Sequence, residues 1–90
     1  MPNIKFTYAL RRFFPAVKDV AAAGNSFREI FPELDKHYPG ISSYILDDQG
    51  SLRTHVNIFI DGKMINDRKN LSDAFGTNSE IYIMQALSGG

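Results

Sequence analysis

The stretch that decides the fold is Val56-Asn57-Ile58-Phe59-Ile60-Asp61-Gly62. Its branched aliphatic residues occupy every second position, which is the period of a β-strand with one buried face. The aromatic side chain of Phe59 would then point to the opposite face. Asp61-Gly62 is typical of a type I′ turn, because both turn residues must adopt positive φ angles. We therefore predict a strand, a two-residue turn and a short return strand at Met64-Ile65.

Three further segments alternate with the same period and are predicted to be strands: Asn3–Tyr8, Lys18–Ala23 and Ile81–Gln85. The segment from Asn66 to Thr77 is polar, and we predict one helical turn within it, around Leu71–Phe75.

A helix is predicted between the second and third strands, because apolar residues there recur at spacings of three and four. Ser26 and Glu29 match a capping box at its start, and Pro39-Gly40 would end it. Pro32 lies inside the helix and predicts a kink or a split. The apolar stripe consists of Phe27, Ile30, Leu34 and Tyr38. These elements together predict an α+β fold, with a mixed sheet of four to five strands and one main helix packed on one face.

Composition excludes several classes of protein. The chain has 90 residues, the size of one domain, and its 10 basic and 10 acidic residues leave no net charge. Nucleic-acid-binding proteins usually show a basic excess or stripe, so we expect no nucleic-acid partner. No apolar run approaches the length of a membrane-spanning helix, and no cysteine is present for disulfides. We expect a cytoplasmic protein without membrane contact.

The sequence offers little catalytic chemistry of its own. Its two histidines, His37 and His55, have no convergent ligands or acid–base partners that the sequence nominates. No glycine-rich loop that could hold a phosphate is present. We therefore predict that the chain is not an enzyme, that it has no catalytic residue and no metal site, and that it binds no cofactor itself.

The sequence closes with Ala86-Leu87-Ser88-Gly89-Gly90, directly after the last predicted strand. Glycine has no side chain to pack and the most conformational freedom to lose, so paired glycines add nothing to a core. We predict a folded domain at residues 1–86 and a flexible tail at residues 87–90. We therefore expect the tail to have a role other than packing in the core.

The order of elements, the strand Val56-Asn57-Ile58 and the Gly89-Gly90 end together resemble the β-grasp sulfur carriers of the ThiS/MoaD family, and more distantly ubiquitin. Val20–Phe27 and Tyr38–Ile41 are most similar to the CysO-type carriers of cysteine biosynthesis. The resemblance covers nearly the whole chain. It implies a ubiquitin-like β-grasp fold.

The resemblance also implies a function at the C-terminal carboxylate of Gly90. In such carriers an adenylating enzyme of the MoeB/ThiF type uses ATP and Mg to activate this group, and a sulfur donor converts it to a thiocarboxylate. The sulfur then passes to a biosynthetic enzyme of cysteine, molybdopterin or thiamin synthesis. Leu87, Ser88 and Gly89 would thread the tail into the partner's active site. The free carrier is expected to be a monomer.

Two other functions stay open. A ubiquitin-like modifier would join the same carboxyl group to lysines of other proteins, and differs from a sulfur carrier in the nucleophile that attacks the activated terminus. Ubiquitin carries arginines before its glycines, whereas this chain has Ala86, Leu87 and Ser88, which argues against the ubiquitin-type activating enzyme. The third candidate is a β-grasp interaction module with an incidental Gly-Gly.

The strand phases predict an exposed apolar surface. If Ile58 and Ile83 face the helix, then Phe59, Tyr82 and Met84 share the open side of the sheet. An exposed patch of aromatic and methionine side chains is typical of a docking surface. We predict that these three residues bind a partner protein.

Overall fold

The computed structural model describes residues 1–7, 10 and 19–85. Its elements are β1 (Asn3–Phe6), β2 (Val20–Ala21), α1 (Phe27–His37), α2 (Ile41–Ile45), β3 (Val56–Ile60), β4 (Lys63–Met64) and β5 (Glu80–Gln85). The five strands form one sheet in the order β2-β1-β5-β3-β4. The central pair β1 and β5 is parallel, and the other neighbours are antiparallel. The predicted α+β architecture with a mixed sheet is confirmed.

One face of the sheet carries the hydrophobic core. Burial alternates along β3 and β5, with Ile58 and Ile83 inside and their sequence neighbours more exposed. The predicted phase of both strands is therefore confirmed. The core cluster joins the inward side chains of the strands to those of α1, and includes Ile4, Phe6, Phe27, Ile30, Phe31, Leu34, Ile58, Ile81 and Ile83.

The predicted hairpin between β3 and β4 is confirmed, with Asp61 at φ 50° and Gly62 at φ 86°. A two-residue turn fixes the register, so that Ile60 pairs with Lys63 and Phe59 with Met64. The return strand therefore begins and ends one residue earlier than predicted. Ile65 follows it, buried, and its N–H donates to the carbonyl of Ile58 over 2.8 Å.

Helix α1 runs through Pro32 without a break, so the predicted split is wrong. Proline removes one backbone hydrogen bond, and here its ring is exposed while the opposite side of the helix stays packed in the core. The predicted capping box is not formed, because neither of its two hydrogen bonds is present. Ser26 is the N-cap residue without a side-chain cap bond, and Glu29 accepts a hydrogen bond from the N–H of Asn25 over 2.7 Å.

A second helix, α2, follows Gly40 and was not predicted from the sequence. Gly40 adopts φ 90°, a left-handed conformation that suits glycine and separates the two helices. With five residues, α2 is too short to display a helical period. Within the part of the chain that the structure describes, no helix is long and apolar enough to cross a membrane.

The predicted helical turn around Leu71–Phe75 is wrong, because this segment is irregular. The carboxylate of Asp67 accepts hydrogen bonds from the N–H groups of Asn70, over 2.9 Å, and Ser72, over 3.3 Å. Aspartate competes for backbone donors in this way and favours loops over helices. Leu71 takes up φ 52°, which a helix does not permit.

The carboxylates of Asp61 and Asp67 accept hydrogen bonds in loops, and they make the stability of the fold depend on pH. The N–H of Glu80 and the hydroxyl of Ser79 lower the pKa of Asp61 from its ordinary value of 3.8. The N–H of Asn70, followed by the hydroxyl of Ser72, lowers the pKa of Asp67 in the same direction. These bonds favour the charged form, so their contribution is fully present above the unfolded-state pKa.

We therefore expect the melting temperature to fall as the pH drops below 3.8 toward the lower pKa values of the folded state. Asp61→Asn and Asp67→Asn remove the titrating groups, so the double variant should lose less stability on acidification than the wild type. Circular dichroism melts between about pH 2 and about pH 6 measure this. An equally steep loss in the double variant would assign the acid sensitivity to other carboxylates.

Candidate docking face

Side chains from three adjacent strands meet on the sheet face opposite the helices. Tyr82 of β5 lies between Lys5 of β1 and Phe59 of β3, and Met84 lies opposite Asn57. Tyr82 is 41% exposed and Met84 39%, while Phe59 is half-buried. We call Phe59, Tyr82 and Met84 the open-face patch. The sequence placed these three side chains on one face correctly, and their role in docking stays a prediction.

An ion pair borders the open-face patch. The Nζ of Lys5 lies 2.9 Å from Oε1 of Glu80, and this hydrogen bond and the charge of Glu80 raise the pKa of Lys5. A shallow hollow of about 260 Å³ runs between the pair and the patch, and Gly62 lines one end of it. The two charges neutralise each other, so the hollow offers a partner mainly apolar contact.

Met64 extends the apolar surface, although the sequence pattern did not single it out. Its side chain is 54% exposed and lies opposite Phe59 on the edge strand β4. Directly opposite residues of an antiparallel pair share a face. The two-residue turn Asp61-Gly62 fixes this pairing, so it was the signal that could have added Met64 to the patch.

Arg68 lies at the end of the open face next to Asn57 and Met84. Its Nη1 donates to Oδ1 of Asn57 over 2.8 Å, and its Nη2 donates to the carbonyl of Arg53 over 2.7 Å. Asn57 is the cross-strand neighbour of Met84, so the guanidinium group is held beside the patch. The Arg68 guanidinium group, held by two hydrogen bonds, therefore lies at the end of the sheet where β5 ends.

Strand β5 connects the open-face patch to the C-terminal residues. Gln85 pairs with Val56 of β3, and its N–H donates to Oγ1 of Thr7 over 3.2 Å. The strand is thus held on both sides up to its last residue. Leu87, Ser88, Gly89 and Gly90 lie outside the described residues. The six residues that follow Met84 can span at most about 20 Å when fully extended.

The histidines do not form part of this face. His37 is the exposed last residue of α1, and His55 is exposed just before β3. Among residues 1–7, 10 and 19–85, no group of three histidine, cysteine, aspartate or glutamate side chains is placed to hold a metal ion.

Comparison with curated proteins finds relatives of the same size. The chain is 28% identical over 75 residues to the "Sulfur carrier protein CysO" of Mycobacterium tuberculosis, a match that covers 81% of each chain. The CysO of Mycobacterium bovis matches with the same values. No family profile matches the chain.

Solved structures match over nearly the whole chain. The crystal structure of Mycobacterium tuberculosis CysO has a TM-score of 0.80 and 24% identity, and covers 96% of this chain and 99% of its own. A chain of the Amycolatopsis orientalis BexX/CysO complex has a TM-score of 0.82 and 18% identity over the full length of both. The small archaeal modifier protein 1 of Methanosarcina acetivorans has a TM-score of 0.75 and 24% identity, covering 99% and 95%. These likenesses show a ubiquitin-like β-grasp fold.

Proposed function

Because the chain is a β-grasp protein homologous to the CysO-type sulfur carriers of the ThiS/MoaD kind, we propose that it carries sulfur as a thiocarboxylate on Gly90. The observation that carries this proposal is the relationship to CysO, which extends over 75 residues and is accompanied by the same fold. The Gly89-Gly90 end supplies a carboxylate on residues without side chains.

A carboxylate resists attack by a sulfur nucleophile until it carries a good leaving group. In the proposed first step an oxygen of the Gly90 carboxylate attacks the α-phosphorus of ATP, and pyrophosphate leaves. In the second step hydrosulfide, provided by the sulfur donor, attacks the acyl-adenylate carbon and AMP leaves, which yields the thiocarboxylate with no change in oxidation state. A partner enzyme holds ATP and Mg, since the sequence has no phosphate-binding loop.

The open-face patch is the surface we assign to the adenylating partner. Its three side chains combine aromatic and methionine character, and aromatic residues are enriched where binding energy concentrates in protein interfaces. Two of them, Tyr82 and Met84, lie on the strand that leads to the tail. Binding at the patch would therefore fix the direction from which residues 86–90 approach the partner's active site. Leu87, Ser88 and Gly89 are proposed to occupy its channel.

The sulfur would leave this chain in a second complex. In the Amycolatopsis orientalis structure, CysO is in complex with BexX. We propose that this chain likewise binds a second protein, a sulfur-accepting biosynthetic enzyme. The thiocarboxylate sulfur attacks an electrophilic carbon of that enzyme's substrate, and hydrolysis of the resulting thioester leaves the sulfur on the substrate and restores the Gly90 carboxylate.

Docking can be tested separately from sulfur chemistry. Tyr82→Ala combined with Met84→Ala should weaken binding to the cognate adenylating enzyme by about tenfold or more, because it truncates the centre of the patch. The melting temperature should change little, since Tyr82 is 41% exposed and Met84 39%. Isothermal titration calorimetry measures the affinity.

Tyr44→Ala is the matched control, because Tyr44 is 36% exposed and belongs to α2 in the helix layer. It should leave the affinity for the adenylating enzyme unchanged. Equal weakening by the control, or wild-type affinity of the patch variant, would show that the enzyme binds elsewhere.

The function itself is tested by loading the full-length chain. Incubation with the cognate adenylating enzyme, ATP, Mg and a sulfur donor should add the mass difference of one oxygen replaced by sulfur, as read by intact-mass spectrometry. A chain without Gly90 should gain nothing. A lysine-linked adduct with a second protein, formed without any thiocarboxylate, would instead identify a ubiquitin-like modifier.

A further inference from the structure

A second surface lies in the helix layer, away from the open-face patch. A hollow of about 340 Å³ opens between α1, α2 and the loop after β4. Its apolar lining comes from Phe27, Phe31, Pro32, Leu46 and Leu71. Phe27, Phe31 and Leu71 are buried core residues, Leu46 is half-buried and Pro32 is exposed. This volume is within the range of small binding pockets in proteins.

Hydrogen bonds within the loop after β4 fix the side of the hollow that Leu71 lines. Leu71 faces the hollow with φ 52°, a conformation that bulky residues rarely adopt. Its N–H donates to the carbonyl of Asp67 over 3.0 Å, and the Asp67 carboxylate binds the neighbouring N–H groups of Asn70 and Ser72. The apolar wall is therefore present before any ligand arrives.

The side chains that line the hollow carry a net positive charge, because Arg28 and Lys69 outnumber Asp35. Of its ionisable lining residues, Asp35 is the anion, and Ser42 donates to it with its N–H over 3.0 Å and with its hydroxyl over 2.5 Å. Arg28 and Lys69 are exposed at the rim, and neither has an ion-pair partner among the residues that the structure describes. A ligand with an apolar group next to a carboxylate would complement this arrangement.

The shape favours a peptide over a small acid. Phe27, Phe31 and Asp35 lie on successive turns of α1 and extend over about 12 Å, the length of three to four extended residues. Exposed ion pairs are individually weak, so binding needs several contacts along a chain. Asp47 and Asp48 line an adjoining hollow and would repel acidic residues placed beyond this segment.

We propose that this hollow binds a short extended segment of a partner protein, in which a bulky apolar side chain is flanked by acidic residues. The site is independent of the proposed sulfur carriage. The hollow lies in the helix layer, whereas the open-face patch lies on the opposite side of the sheet. Two partner proteins could therefore bind the chain at the same time.

The probe is the acetylated and amidated tetrapeptide Asp-Leu-Phe-Glu, titrated into the isotope-labelled full chain. Backbone amide signals of the hollow, such as those of Phe31 and Asn70, should shift, while those of Tyr82 and Met84 should stay in place. The peptides Lys-Leu-Phe-Lys and Asp-Ser-Ser-Glu should each bind about tenfold more weakly or worse, because each lacks one of the two required features.

A charge-reversal variant provides a second test of the proposal. Arg28→Glu combined with Lys69→Glu changes two exposed side chains and should invert the preference, so that Lys-Leu-Phe-Lys binds better than the acidic peptide. An unchanged preference, or shifts confined to the open-face patch, would overturn the proposal. Octanoate is tested in parallel. Binding of octanoate with the same charge dependence, but not of the acidic peptide, would assign the hollow to a small amphipathic acid and also overturn it.

Discussion

Gly89→Val should abolish sulfur loading of Gly90 while leaving the melting temperature unchanged. Within the proposed mechanism, the tail must enter a narrow active site so that the Gly90 carboxylate meets the α-phosphate of ATP. A β-branched side chain at position 89 adds bulk and removes much of the conformational range that glycine allows. A displacement of the reacting carbon by about 1 Å can lower the rate by about a hundredfold. The described residues from Ile4 to Ile83 supply the core cluster, so we expect the fold to form whichever residue stands at position 89.

Ser88→Ala is the matched control in the same tail, because it exchanges one small side chain for another next to the glycines. It should load at nearly the wild-type rate, and Gly89→Ala should fall between the control and Gly89→Val. Intact-mass spectrometry over a time course gives the loading rate of each variant and of the wild type. Loading of Gly89→Val at the wild-type rate would contradict a narrow channel at this residue.

Ile58→Ala should cause the largest loss of stability of any single truncation proposed for this chain. Ile58 is fully buried on β3, pairs with Ile83 across the sheet and belongs to the core cluster with α1. Truncating a buried isoleucine to alanine typically costs about 2–5 kcal/mol, whereas small domains are stable by roughly 5–15 kcal/mol. The melting temperature should fall by about 10 °C or more.

Ile58→Val tests the cause of that loss, because it removes one methylene group and should cost about 0.5–1.5 kcal/mol. Urea denaturation monitored by circular dichroism measures both free energies of unfolding. A loss below about 1 kcal/mol for Ile58→Ala would mean that residue 58 is not enclosed. That result would reverse the strand phase and, with it, the exposure of Phe59 on the open face.

The features that could be predicted from sequence are those that neighbouring residues determine. The alternation in Val56–Ile60 and the type I′ preference of Asp61-Gly62 are local, and both predictions were correct. The same alternation was sufficient to place Tyr82 and Met84 outside the core. The candidate docking face follows from these phases alone, apart from Met64 and the ion pair of Lys5 with Glu80.

The features that were missed depend on contacts or on competition between local preferences. Helix α2 was missed because five residues show no periodicity, and its start depends on the left-handed Gly40. The segment after Asp67 was predicted to contain a helical turn, but the Asp67 carboxylate captures the donors that a helix would use. The bond from Arg68 to Asn57 joins residues from a loop and a strand, and only the folded chain brings them together.

The hollow in the helix layer was also beyond sequence reasoning. Phe31 was not part of the predicted apolar stripe of α1, and Lys69 is far from Arg28 along the chain. Their common location depends on how the loop after β4 folds back over the helix. Sequence patterns describe single elements well, whereas a hollow between elements requires their packing.

The central claim is that sulfur is carried on the terminal carboxyl group of Gly90. Fragmentation of the loaded chain in a tandem mass spectrometer tests this most directly, after reaction with the cognate adenylating enzyme, ATP, Mg and a sulfur donor. We predict that only fragments containing Gly90 carry the added mass and that omission of ATP prevents it. Sulfur located on any other residue, or no added mass although the adenylating enzyme binds the chain, would contradict the account.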